Sequence, residues 1–328
     1  MAAERLAPAK VNLFLHVGPL GADGYHPICT LMTFATVGDV VRMERAAAMS
    51  FEVEGPFGEH LAADGDDNLV VRARDAVMEA FEGPWPAFRL TLDKRLPIAA
   101  GLGGGSSDAA ATLTLMAETF ALADGGRLLS DRGIVPTAVS RRGVESLADD
   151  ALAPENSVAQ DTLSRIARDL GADVTACLAA VPTLAQGRGD ECDYPPVFPD
   201  LDAVLVNPLV PSPTGAVYGA YDAAGAPGGA EPPPWPDPME TAEAFAAFLA
   251  DCRNDLEAPA ISLQPAIAEV LAALRARPQT LIARMSGSGA TCFALCADAA
   301  DRDGLAQVIA DTHADWWVQP CRLAGFRP

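Results

Sequence analysis

The stretch Pro97-Ile98-Ala99-Ala100-Gly101-Leu102-Gly103-Gly104-Gly105-Ser106-Ser107-Asp108 carries four glycines within five residues and runs into Ala109-Ala110-Ala111. Side chains are almost absent there, so successive backbone N–H groups can close on an anion. The alanine-rich run reads as a helix over 109–123, with Ser106 or Ser107 as its N-cap. Helix starts present unpaired N–H donors and a partial positive charge. A glycine loop feeding such a start can be a tight turn before a capped helix or a phosphate site; the glycine density and the paired serines favour phosphate. No Lys-Ser or Lys-Thr follows the glycines, so the loop is not a Walker A motif. The upstream run Phe88-Arg89-Leu90-Thr91-Leu92 alternates like an amphipathic strand, which fits a dinucleotide fingerprint poorly.

Other residues with chemical potential lie far away in sequence. Lys10 and Lys94 are the only two lysines, and every other strongly basic side chain is Arg. A lysine kept in such a chain points to a need for a compact ammonium or a tunable pKa. Asp173, in Gly171-Ala172-Asp173-Val174, follows a helix end and heads an apolar run. It reads as an N-cap or as a base aimed into a cleft, and cap preference favours the former. Tyr25 and His26 sit after an Asp-Gly turn; side by side they either offer a flat ligand a stacking surface or pack locally. A second glycine element, Met285-Ser286-Gly287-Ser288-Gly289-Ala290-Thr291, leads into an apolar strand and could border the same cleft.

The elements that must hold these residues follow from periodicity. In 10–17, Val11, Leu13, Leu15 and Val17 share one face, with Lys10, Asn12, Phe14 and His16 on the other. Further strands are expected over 37–53. Residues 68–81 have helical spacing through Leu69, Val70, Ala73, Val77, Met78 and Phe81. Residues 162–170 read as a helix ended by Gly171, and 188–191 as a turn leaving the first domain. A strand over 201–208 stops at Pro208, and 224–239 is a Gly/Pro-rich loop. Asn254-Asp255-Leu256-Glu257 precedes a helix with Ile267, Val270, Leu271 and Leu274 on one face. The weakly periodic segment 123–160 reads as an insertion.

Composition narrows the class. The 328 residues predict about two domains, placed at 1–188 and 189–328. A net charge of −21 and a pI near 4.4 argue against a nucleic-acid or anionic-membrane surface. A polyphosphate ligand would need a local site that reverses this field, which backbone dipoles can supply. Seven cysteines without CxxC or Cys/His zinc spacing point to reduced thiols in a cytoplasmic protein. No signal-peptide pattern and no membrane-length apolar run is evident.

The strand with Lys10, the glycine loop and the second glycine element resemble, in order and spacing, the galactokinase, homoserine kinase, mevalonate kinase and phosphomevalonate kinase (GHMP) superfamily. Ala9-Lys10-Val11-Asn12-Leu13-Phe14-Leu15, Asp23-Gly24-Tyr25-His26, Leu170-Gly171-Ala172-Asp173-Val174 and Asn254-Asp255-Leu256-Glu257 are most similar to one branch. Its members phosphorylate a diphosphocytidyl methylerythritol in the non-mevalonate isoprenoid pathway.

The resemblance implies an α/β (α+β) fold with an N-terminal α/β domain, a ferredoxin-like C-terminal domain and the active site between them. It implies that Pro97, Ile98, Ala99, Ala100, Gly101, Leu102, Gly103, Gly104, Gly105, Ser106 and Ser107 hold the ATP phosphates. Asp173 would be the general base or orient the hydroxyl, and Lys10 would sit beside it and keep it ionised. Asn12, Tyr25 and His26 would meet the alcohol substrate, with Tyr25 stacking on cytosine. Ser286, Gly287, Ser288 and Gly289 form the second glycine loop. Mg²⁺ is expected with ATP, with Ser106, Ser107 and Asp108 as nearby candidate ligands. Small molecules are the implied partners of a monomer or weak homodimer.

Two departures from the family pattern, Thr175 in place of proline and Pro27 in place of an acid, remove no reacting group. Other readings are a different superfamily kinase and a silent ligand sensor on the same fold; Lys10, Asp173 and the intact loop argue against the sensor.

Overall fold

The protein was analysed as a computed structural model that describes residues 3–61, 67–81, 83–120, 122–123, 127–128, 157–195, 197–225, 228–235 and 239–325. Two compact units are each assembled from separate stretches of chain. Residues 1–9, 38–96 and 103–180 make the first; residues 10–37, 97–102 and 181–328 make the second. Strands β1 (Ala3–Val17) and β2 (Ile28–Arg45) contribute residues to both.

The first unit adds β3 (Ser50–Glu54), α1 (Leu69–Ala80), β4 (Phe88–Asp93) and α2 (Gly104–Phe120). A two-residue pair, β5 (Leu122–Ala123) and β6 (Arg127–Leu128), precedes α3 (Ser157–Leu170) and α4 (Ala172–Ala179). Strand β4 runs antiparallel to β2, with Val40 opposite Asp93 and Arg45 opposite Phe88, and parallel to β3. Its alternation is real: Phe88, Leu90 and Leu92 are buried while Arg89 and Thr91 are half-buried. Asn68 caps α1 by accepting from the Val70 N–H at 2.9 Å, and Val70, Ala73 and Val77 form its buried face. Helix α1 packs on α2 and α3, and α4 packs on α2 and α3.

The second unit contains β7 (Thr183–Gly187), β8 (Glu191–Asp193), β9 (Leu201–Asn207), α5 (Thr214–Ala223) and α6 (Ala242–Ala250). It continues with α7 (Glu257–Leu263), α8 (Ala266–Arg275), β10 (Ile282–Met285), β11 (Cys292–Cys296), α9 (Ala299–Thr312) and β12 (Trp317–Leu323). The sheet order is β10-β11-β9-β12-β2, with antiparallel neighbours throughout. The start of β2 pairs with β7, which pairs with β8; residues 188–190 turn this hairpin. Ile267, Val270, Leu271 and Leu274 of α8 enter a core with Val204, Val206, Leu305 and Ile309. That is the i, i+3, i+4, i+7 stripe expected of a helix lying on a sheet.

Several local expectations need correction. Helix α2 begins at Gly104 rather than Ala109, so Ser106 and Ser107 are inside its first turns and neither is the N-cap. Gly103, at φ +61°, ends the loop so tightly that the helix starts at once. Helix α3 starts at 157, earlier than periodicity predicted. Most of the segment read as an insertion at 123–160 lies outside the described residues. Both faces of strand β1 are buried from 7 to 17. None of the seven cysteines is joined in a disulfide, and among the described residues no helix is long and apolar enough to cross a membrane.

Gly38 marks the tightest strand approach in the first unit. A Cβ there would lie 2.0 Å from the Ala7 carbonyl oxygen and 2.8 Å from Pro8 Cα. On Gly219, inside α5, a Cβ meets nothing within 4 Å. We therefore expect Gly38→Ala to destabilise by about 1–3 kcal/mol, the usual cost of overpacking. Gly219→Ala should stabilise by roughly 0.5–1 kcal/mol through helix propensity. Denaturant melts of the two variants check the opposite signs.

Candidate active site

In the second unit, strand β1 and the two glycine loops interlock. The Lys10 N–H donates to the Leu102 carbonyl at 2.9 Å, and the Thr291 N–H donates to the Ala100 carbonyl at 3.1 Å. Ser286 joins all three elements. Its hydroxyl accepts from the Asn12 N–H at 3.0 Å and donates to the Gly101 carbonyl at 2.9 Å. Its own carbonyl accepts from the Gly289 N–H at 2.9 Å. Gly101, at φ +73°, is pressed so closely here that a Cβ would sit 2.3 Å from the Ser286 carbonyl oxygen. Asn254 braces the second loop from below, donating to the carbonyls of Met285 and Gly287 at 2.8 Å each. The glycines of 286–289 thus serve close backbone approach, and the second loop directly supports residues 100–102 of the first.

Lys10 and Asn12 are buried, at 6% and 5% exposure. Such burial needs partners. The Asn12 amide donates to Thr30 Oγ1 at 2.8 Å, and its Oδ1 faces Gly287, where a Cβ would lie 3.2 Å away. Tyr25 and His26 do not form one surface. Tyr25 is 57% exposed, while His26 turns inward. Its Nδ1–H donates to the Gly18 carbonyl at 2.9 Å, and Nε2 lies 3.3 Å from Asp222 Oδ1. The imidazole packs tilted against the Tyr218 ring at 5.2 Å and meets Tyr221 edge-on at 5.7 Å. Of the adjacent pair, Tyr25 alone presents its ring to solvent.

In the first unit, residues 103–107 run from the loop into α2. Ser107 Oγ donates to the Pro8 carbonyl at 2.7 Å and lies 3.3 Å from Cys177 Sγ of α4. Asp173 sits in the first turn of α4 and is exposed. It is not the cap: Gly171 holds that position and makes no side-chain cap bond. The α4 N-terminus favours a carboxylate in that turn.

Sequence reasoning missed a buried cluster beneath the loop. Lys94 Nζ donates to Asp39 Oδ2 at 2.5 Å and to Asp108 Oδ2 at 2.7 Å. Asp39 Oδ1 also accepts the N–H groups of Arg95 and Leu96 at 2.6 and 2.8 Å. A Cβ on Gly104 would lie 2.9 Å from Lys94 Nζ, so the ammonium rests directly under the start of α2. The scarcity of lysine was the one sequence signal for this site. Burial alone would lower the Lys94 pKa, but Asp108 and Asp39 more than offset it and hold the ammonium above its usual value. Burial pushes the Asp108 carboxyl up, Lys94 pulls it back and Asp39 raises it again, leaving it at about 8. Two acids and one ammonium carry an excess negative charge, which a proton on Asp108 cancels.

Comparison with known proteins fits this geometry. The family model for the GHMP kinases N terminal domain matches residues 68–153, and that for GHMP kinases C terminal matches residues 239–315. A 4-diphosphocytidyl-2-C-methyl-D-erythritol kinase of Caulobacter vibrioides (strain NA1000 / CB15N) is 51% identical over 325 residues, covering 99% of this chain and 100% of that protein. The kinase of the same name from Hyphomonas neptunium is 44% identical over 326 residues, covering 97% of this chain and 95% of that protein. A crystal structure of 4-(cytidine 5'-diphospho)-2C-methyl-D-erythritol kinase superposes with a TM-score of 0.70 at 30% identity. It covers 98% of this chain and 100% of the other.

The chain belongs to the GHMP kinases.

For a GHMP kinase acting with ATP, Mg²⁺ is the expected metal, and the loop's side chains do not form a cage for it. Ser107 is committed to Pro8, and Asp108 is 2% exposed and held by Lys94. Ser106, the third candidate, is half-buried in the first turn of α2. Among the described residues no group of three His, Cys, Asp or Glu could hold a metal. No step is assigned to the ion.

The raised Asp108 carboxyl has a consequence for stability. A carboxyl whose folded-state pKa exceeds its unfolded value stabilises the fold while it keeps its proton. That contribution is lost as pH rises from 3.8 through about 8. Lys94 is held up, so its contribution persists until pH exceeds its usual 10.5. Between about pH 6 and about pH 9, the wild-type Tm should fall more steeply than that of Asp108→Asn, which mimics the neutral form. Parallel thermal melts across that range would contradict the protonated cluster.

Proposed function

We propose that this GHMP kinase transfers the γ-phosphoryl group of ATP to the 2-hydroxyl of 4-diphosphocytidyl-2-C-methyl-D-erythritol, releasing ADP and the 2-phosphate in the non-mevalonate pathway. The observation that carries phosphoryl transfer is the glycine loop, braced at residues 100–102 by the second glycine loop and running directly into the first turn of α2. The choice of acceptor rests on the full-length likeness to kinases of that name.

Phosphoryl transfer needs positioning and charge stabilisation more than covalent chemistry. In this reading residues 97–107 bind the ATP phosphates through backbone donors. The start of α2 adds roughly 0.3–2 kcal/mol of favourable interaction with anionic oxygens. Lys10 presents its ammonium to the acceptor hydroxyl and to the charge that develops on transfer. Asp173 accepts the hydroxyl proton or orients the hydroxyl for attack. Tyr25 offers its exposed ring to the cytosine. His26, with both ring nitrogens facing protein groups, sets the shape of that wall and leaves its backbone for the ligand. Asn12 holds β1 against β2 and the second loop, and so fixes Lys10. The substrates are small molecules; the residues that meet them in this reading all lie within 1–188, and 189–328 contributes the second glycine loop that supports the first.

Initial-rate assays of the purified protein with ATP against a panel of alcohols test the acceptor. The diphosphocytidyl substrate should be strongly preferred; a preference for mevalonate or homoserine would contradict the reading. Lys10→Met and Asp173→Asn should each lower kcat by about 10²–10⁴-fold, the usual range for an acid–base or charge-stabilising group. Near wild-type turnover in either variant would remove that residue's role.

A further inference from the structure

Arg188 lies outside every motif assigned so far, yet it is the side chain laid over Tyr25. Its guanidinium carbon is 4.3 Å from the centre of the Tyr25 ring, and its Nη2 donates to Asp23 Oδ2 at 2.6 Å. Asp23 in turn accepts the Tyr25 N–H at 3.1 Å through Oδ1. Asp23, Tyr25 and Arg188 therefore close a small ring of contacts that joins the 21–26 loop to the β7–β8 turn, with Arg188 165 residues from Asp23. The turn is itself fixed. The Arg188 N–H donates to Asp190 Oδ1 at 3.1 Å, and Gly187 and Gly189 flank it at φ +65° and +92°. Arg188 holds the Asp23 carboxyl below its usual range, so the pair is ionised at neutral pH.

We propose that Arg188 is a positioning residue for the nucleobase of the acceptor, holding the Tyr25 ring from one face so that its other face is ready for stacking. This rests on the reading of Tyr25 as the cytosine platform. An exposed aromatic side chain loses rotamer freedom when a ligand stacks on it, and a ring already held has less to lose. A planar guanidinium suits this task, since it stacks on the ring while its N–H edge bonds Asp23; an ammonium cannot do both. The device acts on acceptor binding alone, because neither Arg188 nor Asp23 belongs to the glycine loops or to the Lys10 strand.

The test is steady-state kinetics of the full chain with ATP and 4-diphosphocytidyl-2-C-methyl-D-erythritol, using wild type, Arg188→Ala, Arg188→Lys, Tyr25→Leu and the Tyr25→Leu/Arg188→Ala double variant. Arg188→Ala should raise the acceptor KM about three- to tenfold, with kcat and the ATP KM within about twofold of wild type. Arg188→Lys should keep most of that defect. In the Tyr25→Leu background, removing Arg188 should have no further effect, a coupling that a general structural role would not produce. An unchanged acceptor KM in Arg188→Ala, or an equal effect in both backgrounds, overturns the proposal while leaving the kinase reading intact. Failure of the wild type to turn over this acceptor overturns the kinase reading and this proposal with it.

Discussion

One hydroxyl ties strand β1 to both glycine loops. Ser286 Oγ takes the Asn12 N–H from strand β1 and gives its proton to the Gly101 carbonyl of the glycine loop. A glycine-rich loop is costly to order, because glycine loses more backbone freedom on folding than any other residue. It binds an anion well only if its N–H groups are already in place. Here the second glycine loop supplies that order from beneath, through Ser286, the Thr291 N–H and the tight Gly101 contact. This suits a chain with a net charge of −21. In the proposed reading, attraction for phosphate comes from fixed backbone dipoles rather than from a basic surface.

The other end of the loop depends on a different constraint. Lys94, buried between Asp39 and Asp108, ties β4, β2 and α2 together beneath Gly104. A compact ammonium donates to both acids from beneath Gly104, where an added Cβ would lie 2.9 Å from Nζ. The two lysines of this Arg-using chain are both buried, and each requirement is for a small cation at a crowded place. Asp108 completes the cluster, buried and held by the Lys94 ammonium.

Much of this was legible in the sequence where local pattern decides the outcome. The stripes of α1 and α8, the strand at Phe88–Asp93 and the two glycine loops follow from spacing alone. The roles proposed for Lys10 and Asp173 rest on the family motifs. What failed was whatever depends on distant partners. Ser106 and Ser107 look like caps because serine usually caps, but Gly103 turns the chain early enough to place both inside the helix. Asp173 looks like a cap for the same reason, yet Gly171 occupies that position. The partners of Lys10 and Asn12 in β1, namely Leu102, Ser286 and Thr30, come from other segments of the chain. Lys94 with Asp39, and Arg188 with Tyr25, join residues too far apart for any periodicity to connect.

The most direct test of the Ser286 link is the kinetics of Ser286→Ala. Removing the hydroxyl leaves the buried Asn12 N–H without its acceptor, which costs about 1–3 kcal/mol, and frees the Gly101 carbonyl. Steady-state assays varying each substrate in turn should show the ATP KM rising by about tenfold or more, with the ranking of alcohol acceptors unchanged. An ATP KM equal to that of wild type in a folded Ser286→Ala protein would contradict the claim that the second glycine loop orders the first.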